Sequence, residues 1–158
     1  GFIDEIQKVW ESISERGVQI LAPRLFEKNN WPEALSGLDE RPIVLSRIES
    51  YSPGYARAIS VDVFRGVSEF HVAPDKNKSR LPSLMLWPKR IRDKAAANVL
   101  LSGTVDFFNI EAVGDAPGIE GPLEVQYSTE PAHWAFLVRW FVRVDVSSSV
   151  TVGDPSVA

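Results

Sequence analysis

The feature that most constrains the fold of this chain is a long alternation of apolar and polar residues between His133 and Ser147. Its apolar residues share one parity, and they are Trp134, Phe136, Val138, Trp140, Val142, Val144 and Val146. A period of two is typical of a β-strand that buries one face. At about 3.3 Å per residue, this strand would be roughly 50 Å long, more than a domain of this size needs for its own sheet. We therefore expect part of the strand to overhang or to bend.

Two other segments have the spacing of amphipathic helices. From Phe2 to Arg16, apolar residues recur every three or four positions, acids occupy the first turn, and Gly17 follows as a stop. A second helix is predicted from Lys89 to Leu101, because Pro88 suits the start of a helix and Gly103 suits the position after its end. These two helices supply the apolar stripes that a sheet needs as a cover.

Short β-branched or alternating segments predict the remaining strands. They lie within Ile20 to Phe26, from Pro42 to Ile48, from Ala56 to Phe64, from Val67 to Ala73, from Thr104 to Val113 and from Leu123 to Tyr127. Ser50 to Gly54 predicts a turn, and Gly114 to Pro122 predicts a loop. The segment after Gly66 is either the hairpin partner of the strand before it or the continuation of that strand past a bulge.

The order of these elements favours an α+β fold, with a mainly antiparallel sheet and two helices packed on one face. We expect residues 1–147 to form a single domain and residues 148–158 to form a C-terminal tail. Phe107, Phe108 and Phe141 would fall partly on the other face, so we expect a neighbouring subunit to cover it. No apolar run approaches the roughly 20 residues of a membrane span, so we expect no membrane contact.

No residue motif in the sequence points to a reaction. The chain has no Cys, which excludes disulfides, thiolate catalysis and Cys-ligated metals. Neither a P-loop nor a G-x-G-x-x-G segment follows a predicted strand, and no G-x-S-x-G elbow is present. We therefore predict that the protein is not an enzyme and uses no cofactor or metal. The enzymatic alternative is a site that the fold would assemble from Asp62, His71 and His133.

The net charge of -4 conceals two segments of opposite charge. Residues 76–94 hold a single acid, Asp93, and seven bases, which are Lys76, Lys78, Arg80, Lys89, Arg90, Arg92 and Lys94. Residues 111–130 hold no base and five acids, which are Glu111, Asp115, Glu120, Glu124 and Glu130. One interpretation is that both segments are solvated surfaces. The other is a head-to-tail ring, in which the basic segment of one copy meets the acidic segment of the next.

The basic segment also has an alternative function. Trp87 precedes Lys89, Arg90, Arg92 and Lys94, and an aromatic ring beside clustered positive charge is the composition of a nucleic-acid-binding patch. Bases in the first turn of a helix oppose its dipole. A negative partner in the same assembly would relieve that repulsion as well as DNA would. The small nucleic-acid-binding module therefore stays open as a second hypothesis.

Two further cations lie on one face of the last predicted strand. Arg139 and Arg143 are four residues apart, so their side chains point the same way. They either contact DNA that passes the sheet or pair with Asp62 and Asp145. Structural pairing is the interpretation that we favour.

With this layout, the chain resembles the tail-terminator, or tail-completion, proteins of long-tailed bacteriophages. The resemblance covers most of the chain and rests on element order: a first helix (Phe2 to Arg16), strands (Pro42 to Ile48, Ala56 to Val72), a middle helix (Lys89 to Leu101) and a long late strand (Trp134 to Val146). It implies a structural virion protein, assembled in the host cytoplasm, that forms a hexameric ring at the tail–neck junction. Its expected partners are further copies of itself, tail-tube and neck or connector proteins, and DNA in passing. Another neck or tube-related phage protein is the alternative within this class.

Overall fold

The chain folds as a long, twisted sheet with its helices on one face. The computed structural model describes residues 1–15, 18–19, 21–25, 42–56, 59–74, 84–125 and 132–145. Within these ranges the elements are α1 (Phe2–Glu11), β1 (Ser14–Glu15), β2 (Val18–Gln19), β3 (Leu21–Leu25), β4 (Ile43–Ala56), β5 (Ile59–Pro74), α2 (Trp87–Ala96), a 3-10 turn (Leu101–Gly103), β6 (Phe107–Ile110), β7 (Ile119–Val125) and β8 (His133–Asp145). The predicted tail, residues 148–158, lies outside the described residues.

Six of these strands form one sheet. The order is β3-β4-β5-β8, and β6 and β7 both pair with the far side of β8, one beyond the other. Only β3 and β4 run parallel, and every other pairing in this sheet is antiparallel. The α+β fold with a mainly antiparallel sheet is therefore confirmed. β1 and β2 form a separate two-stranded hairpin.

The long last strand is confirmed, but the expected overhang is wrong. β8 has 13 residues, and β5 pairs with it from Pro74↔His133 to Val61↔Asp145. β5 itself has 16 residues, and β4, which pairs with the other side of β5, has 14, so β8 lies in a sheet with two other strands of at least its length. The sequence pattern predicted the length of β8, but it did not predict that β4 and β5 are at least as long.

The predicted turn at Ser50 to Gly54 is also wrong, because β4 continues through it. Pro53 pairs with Asp62, and the hairpin closes only after Ala56. β3 accompanies β4 no further than Ser46, so among the described residues the outer part of β4 is a sheet edge. A proline is tolerated at an edge, since the N–H that it lacks is not needed there.

Glycine 66 lies inside β5, which continues past it, so the bulge interpretation holds and the hairpin interpretation does not. The bulge is on the neighbouring strand, where the register shifts between Ile48 and Ser50. Gly66 itself lies opposite Trp140, and a Cβ atom there would overlap both the Trp140 ring and the carbonyl oxygen of Arg47. The bare backbone at this position lets a tryptophan lie across the sheet.

The main core lies between the helices and the face of the sheet that the even residues of β8 occupy. It contains Ile6, Val9 and Trp10 from α1, Trp87, Ile91 and Ala95 from α2, and Phe70, Phe108, Phe136, Val138, Trp140 and Val142 from the sheet. The Trp10 ring meets Phe70 edge-on at 5.3 Å, and Phe70 in turn lies 6.1 Å from Trp87. Both helices therefore pack on one face, as predicted.

A serine holds two tryptophans inside this core. The indole nitrogens of Trp10 and Trp140 both donate hydrogen bonds to the Ser68 hydroxyl, at 2.9 and 3.0 Å. A hydroxyl oxygen has two acceptor sites and one hydrogen, so the hydrogen of Ser68 is left to bond the Ser46 hydroxyl, 2.8 Å away. All four residues are buried, and this network satisfies polar groups that would otherwise destabilise the core.

Both helices end earlier than their sequence patterns predict. α1 ends at Glu11 rather than Arg16, and the Ser12 hydroxyl bonds the Val9 carbonyl oxygen at 2.6 Å at this end. α2 ends at Ala96 rather than Leu101. Gly103, with a φ of +83°, ends the 3-10 turn that follows.

The opposite face of the sheet is apolar in part, as predicted. Phe107 and Phe141 stack there at 5.6 Å, whereas Phe108 belongs to the main core, where it is fully buried. Toward the other end of this face, Ile43, Leu45 and Val67 are buried within a single copy. That end therefore needs no neighbouring subunit to exclude water.

Candidate functional site

Four cations of the predicted basic segment lie on α2, and they have different surroundings. Lys89 pairs with Asp93 one turn along the helix at 2.7 Å. Arg92 is exposed and Lys94 is half-buried. The three other predicted bases, Lys76, Lys78 and Arg80, lie outside the described residues. Among the four described cations, Lys89 is the one whose charge an ion pair within α2 offsets.

Arg90 differs from the other cations of α2. Its guanidinium lies over the Trp87 ring at 5.9 Å, within the range of a cation–π contact. Its Nη1 atom is buried, and no described residue accepts a hydrogen bond from it. A buried guanidinium nitrogen without an acceptor is costly, so Arg90 is the least well satisfied of the described cations on α2. Trp87 is itself fully buried, so it cannot stack on a nucleic-acid base as the second hypothesis requires.

Arg90 lines a cleft between the end of α1 and the outer face of α2. The cleft has a volume of about 430 Å³ and is lined by Ser12, Ile13, Arg90, Asp93, Lys94 and Ala97. The hydrogen bond from Lys89, with the charges of Lys89 and Arg92, holds the pKa of Asp93 below its ordinary value against the opposing effect of desolvation. Lys89 therefore neutralises Asp93, and Arg90 with Lys94 leaves the cleft positive.

Two acids of the predicted acidic segment are used within the chain. Glu111 pairs with Arg65 at 3.2 Å, and Glu120 pairs with Arg139 at 2.8 Å. Glu124 is exposed on β7 opposite Trp134. Glu130 lies outside the described residues. The sequence therefore overstated the acidic surface, because it could not show which acids the sheet would pair with arginines.

The remaining acid, Asp115, is exposed at the tip of a tight turn. Val113 and Ala116 close this turn through two reciprocal backbone hydrogen bonds of 3.0 and 2.9 Å. Gly114, with a φ of +58°, provides the left-handed backbone conformation that the turn needs. Val113 is also exposed, so the turn presents an apolar side chain next to a carboxylate.

The two arginines of β8 have structural surroundings, although their predicted partners are wrong. Arg139 donates to Glu120 and, at 2.9 Å, to the Pro117 carbonyl oxygen, rather than pairing with Asp62 or Asp145. Arg143 lies over the Phe107 ring at 5.6 Å. Both side chains are on the face opposite the helices, because they have the odd parity of β8.

A buried polar chain crosses the same face at the other end of β8. His71 and His133 are both buried, and Nδ1 of His71 lies 2.6 Å from Nε2 of His133. Nε2 of His71 lies 3.6 Å from a Glu69 oxygen, and the other Glu69 oxygen accepts a short hydrogen bond from Arg47. The resulting order is Arg47, Glu69, His71, His133. Since one histidine nitrogen must donate to the other, the pair holds a defined proton between two strands.

The Glu69 carboxylate is kept charged within this chain. Burial alone would raise the pKa of Glu69, but the polar contact with His71, together with the charge and hydrogen bond of Arg47, outweighs it and holds this pKa below its ordinary value. A carboxyl group of this kind stabilises the folded state above its unfolded pKa of 4.5, and loses that effect as the pH falls through its lower folded pKa.

Replacement of Glu69 by glutamine therefore has a pH-dependent effect. We expect Glu69→Gln to lower the free energy of unfolding at pH 7 by about 1–3 kcal/mol, because Arg47 and His71 lose a charged acceptor. The difference from the unmodified chain should shrink below pH 4.5, as Glu69 itself becomes protonated. Urea unfolding at a series of pH values measures this difference.

The matched control is Glu49→Gln, which removes the more exposed carboxylate that lies 3.6 Å from the same arginine. An exposed pair of this kind is worth at most about 1 kcal/mol. Equal losses in the two variants, or a Glu69→Gln loss that does not change with pH, would contradict the role given to the buried chain.

Of the three residues of the enzymatic alternative, the fold brings two together and leaves Asp62 apart. The fold brings His71 and His133 together although they are 62 residues apart, whereas Asp62 lies toward the other end of β5 and accepts a hydrogen bond from Tyr51 at 2.6 Å. Sequence reasoning missed Glu69 and Arg47. The signal for Glu69 was a single carboxylate in the stretch from Gly66 to Ala73, which holds no other Asp, Glu, Lys or Arg.

Among the described residues, no three His, Asp or Glu side chains form a group that could hold a metal ion. None of the helices in the described ranges is long and apolar enough to cross a membrane. No model of a known protein family matches the chain, and no curated protein sequence matches it.

Proposed function

We propose that this chain is the repeating subunit of a ring, located in the virion at the tail–neck junction, that terminates a bacteriophage tail tube and joins it to the head connector. The order and lengths of the elements support the proposal, because β4, β5 and β8 give a sheet that is long for a chain of this size. Among the described residues, two helices of ten residues each pack on this sheet.

The observation that carries the proposal is an aromatic patch where the helical cover ends. Phe2 at the start of α1 stacks on Phe64 at 5.1 Å, and Phe64 stacks on Tyr51 at 5.0 Å. Tyr51 is 53% exposed and Ile48, on the same face of β4, is 44% exposed. Contiguous apolar side chains at the surface mark an interaction site more often than isolated ones do.

The edge of the sheet beside this patch is unsuited to open-ended strand pairing. The register shift between Ile48 and Ser50 bends β4, and Pro53 removes one backbone donor. Bulges and prolines are the devices by which natural sheets prevent edge-to-edge aggregation. We therefore assign the subunit contact to the side chains of the aromatic patch rather than to added strands.

Introducing charge into this patch should disrupt assembly. We expect Ile48→Lys and Tyr51→Lys each to shift the purified protein from a closed ring to monomers in light scattering, because a lysine cannot be buried there without a partner. Leu100→Lys is the matched control, since Leu100 is equally exposed but lies beyond α2.

A chain that is strictly monomeric both alone and with tail-tube protein would contradict the proposed ring. A ring that withstands both patch variants, while each variant stays folded, would contradict the assignment of a subunit contact to the aromatic patch.

A further inference from the structure

We propose that the acidic turn Val113–Ala116 of one subunit docks into the cleft between α1 and α2 of the next, with the Asp115 carboxylate accepting a hydrogen bond from Arg90. This inference rests on the proposed ring and specifies a contact within it. It commits to a second copy of this chain as the occupant of the cleft.

The cleft has the properties of a carboxylate receptor. Arg90 lines the cleft, and the Trp87 ring, 5.9 Å away, holds its guanidinium in place from one side. Lys94 adds a second cation at the same opening, and Ile13 and Ala97 add apolar surface. A guanidinium fixed by stacking binds a carboxylate with little further loss of side-chain freedom.

The turn has the matching properties of a ligand. Its two reciprocal hydrogen bonds fix its backbone, and Arg139 anchors its flanks by bonding the Gly118 carbonyl oxygen at 2.7 Å and the Glu111 amide at 2.9 Å. The exposed carboxylate of Asp115 fits the cations of the cleft, and the exposed side chain of Val113 fits its apolar wall. A turn that is already ordered binds without a large entropic cost.

The ion pairs among the described residues leave Asp115 and Arg90 for an external partner. Glu111 and Glu120 are paired with arginines of the sheet, and Lys89 is paired with Asp93. Asp115 on the acidic side and Arg90 on the basic side have no ion pair among the described residues. The contact predicted between the basic segment 76–94 and the acidic segment 111–130 is thereby narrowed to the turn Val113–Ala116 and the cleft between α1 and α2.

The positions of the two surfaces fit a head-to-tail contact. The turn leaves the outer edge of the sheet between β6 and β7, and the cleft lies in the helical layer. Because they are different surfaces of one subunit, their contact is heterologous, and repeating it generates a ring when the rotation closes.

A charge-swap experiment tests the contact. We expect Asp115→Lys, Arg90→Glu and Lys94→Glu each to raise the subunit concentration needed for half-assembly by roughly 30-fold or more, since each leaves a charge in the interface opposite a like charge. Glu124→Lys is the matched control, because it reverses another exposed acid of the same segment and should change assembly little. Thermal melting followed by circular dichroism establishes that each variant is folded. If Arg90→Glu does not fold, the test of the cleft relies on Lys94→Glu alone.

Mixing the variants gives the decisive readout. In an alternating ring of Asp115→Lys with Lys94→Glu or Arg90→Glu subunits, every second interface is unmodified, and the others set the reversed charge of the turn against the opposite, reversed charge of the cleft. An equimolar mixture should therefore assemble where neither variant does alone. If the unmodified chain assembles but the single variants assemble equally well, or the mixture stays monomeric, the docking is wrong and the ring stands. If the unmodified chain never assembles, both proposals fail.

Discussion

Ser68→Ala should lower the free energy of unfolding by about 3–5 kcal/mol, which we expect to be among the largest effects of any single hydroxyl in this chain. The Ser68 hydroxyl accepts the indole N–H groups of Trp10 and Trp140, and all three residues are buried. Its loss leaves two donors without an acceptor in a core that water does not reach. Each buried donor that loses its partner costs about 1–3 kcal/mol.

The control for this prediction is Ser46→Ala, which removes only the group that receives the Ser68 hydrogen. We expect it to cost about 1–2 kcal/mol, because both tryptophans keep their acceptor. Urea unfolding of the two variants side by side gives the comparison. A Ser68→Ala loss no larger than that of Ser46→Ala would show that the indoles do not depend on this hydroxyl.

Gly66→Ala should lower the free energy of unfolding by about 2–4 kcal/mol, although it adds a single carbon atom. The added Cβ overlaps the Trp140 ring on one side and the Arg47 carbonyl oxygen on the other. Neither can retreat easily, because Trp140 is fixed by Ser68 and Arg47 belongs to the adjacent strand. The variant must therefore move the largest side chain of β8 or distort the pairing of β4 and β5.

Gly103→Ala is the control for this clash. Nothing lies within 4 Å of a Cβ at Gly103, but its φ of +83° is unfavourable for alanine. Backbone strain of that kind costs about 1 kcal/mol. We expect Gly66→Ala to lower the denaturant midpoint, and to weaken the near-ultraviolet signal of the tryptophans, clearly more than Gly103→Ala does. A Gly66→Ala protein as stable as the Gly103→Ala protein would mean that Trp140 is not packed against β5 as described.

Much of the fold was predictable because its patterns are local. The even residues of β8 face the core as their parity indicated, since the period of two fixes the buried face of a strand without reference to its neighbours. Both helices were predicted by their apolar stripes. Their ends were predicted too late, because the glycines taken as stop signals, Gly17 and Gly103, lie several residues beyond the last helical residues, Glu11 and Ala96.

The rest depended on pairings that no local pattern contains. The predicted turn at Ser50 to Gly54 failed because the register with β5 extends β4 across Pro53. The contact of His71 with His133 exists only because β5 pairs with β8 to the ends of both strands. Segments of charge were visible in the sequence, whereas the pairing of Glu120 with Arg139 follows from the placement of β7 beside β8.

The central claim, that this chain is a repeating ring subunit, is tested most directly by the native mass of the unmodified protein over a series of concentrations. We expect one closed oligomer of fixed subunit number, which is six if the resemblance to tail-terminator proteins holds, and no open series of larger species. A mass equal to a single chain at every concentration, and again in the presence of tail-tube protein, would contradict it.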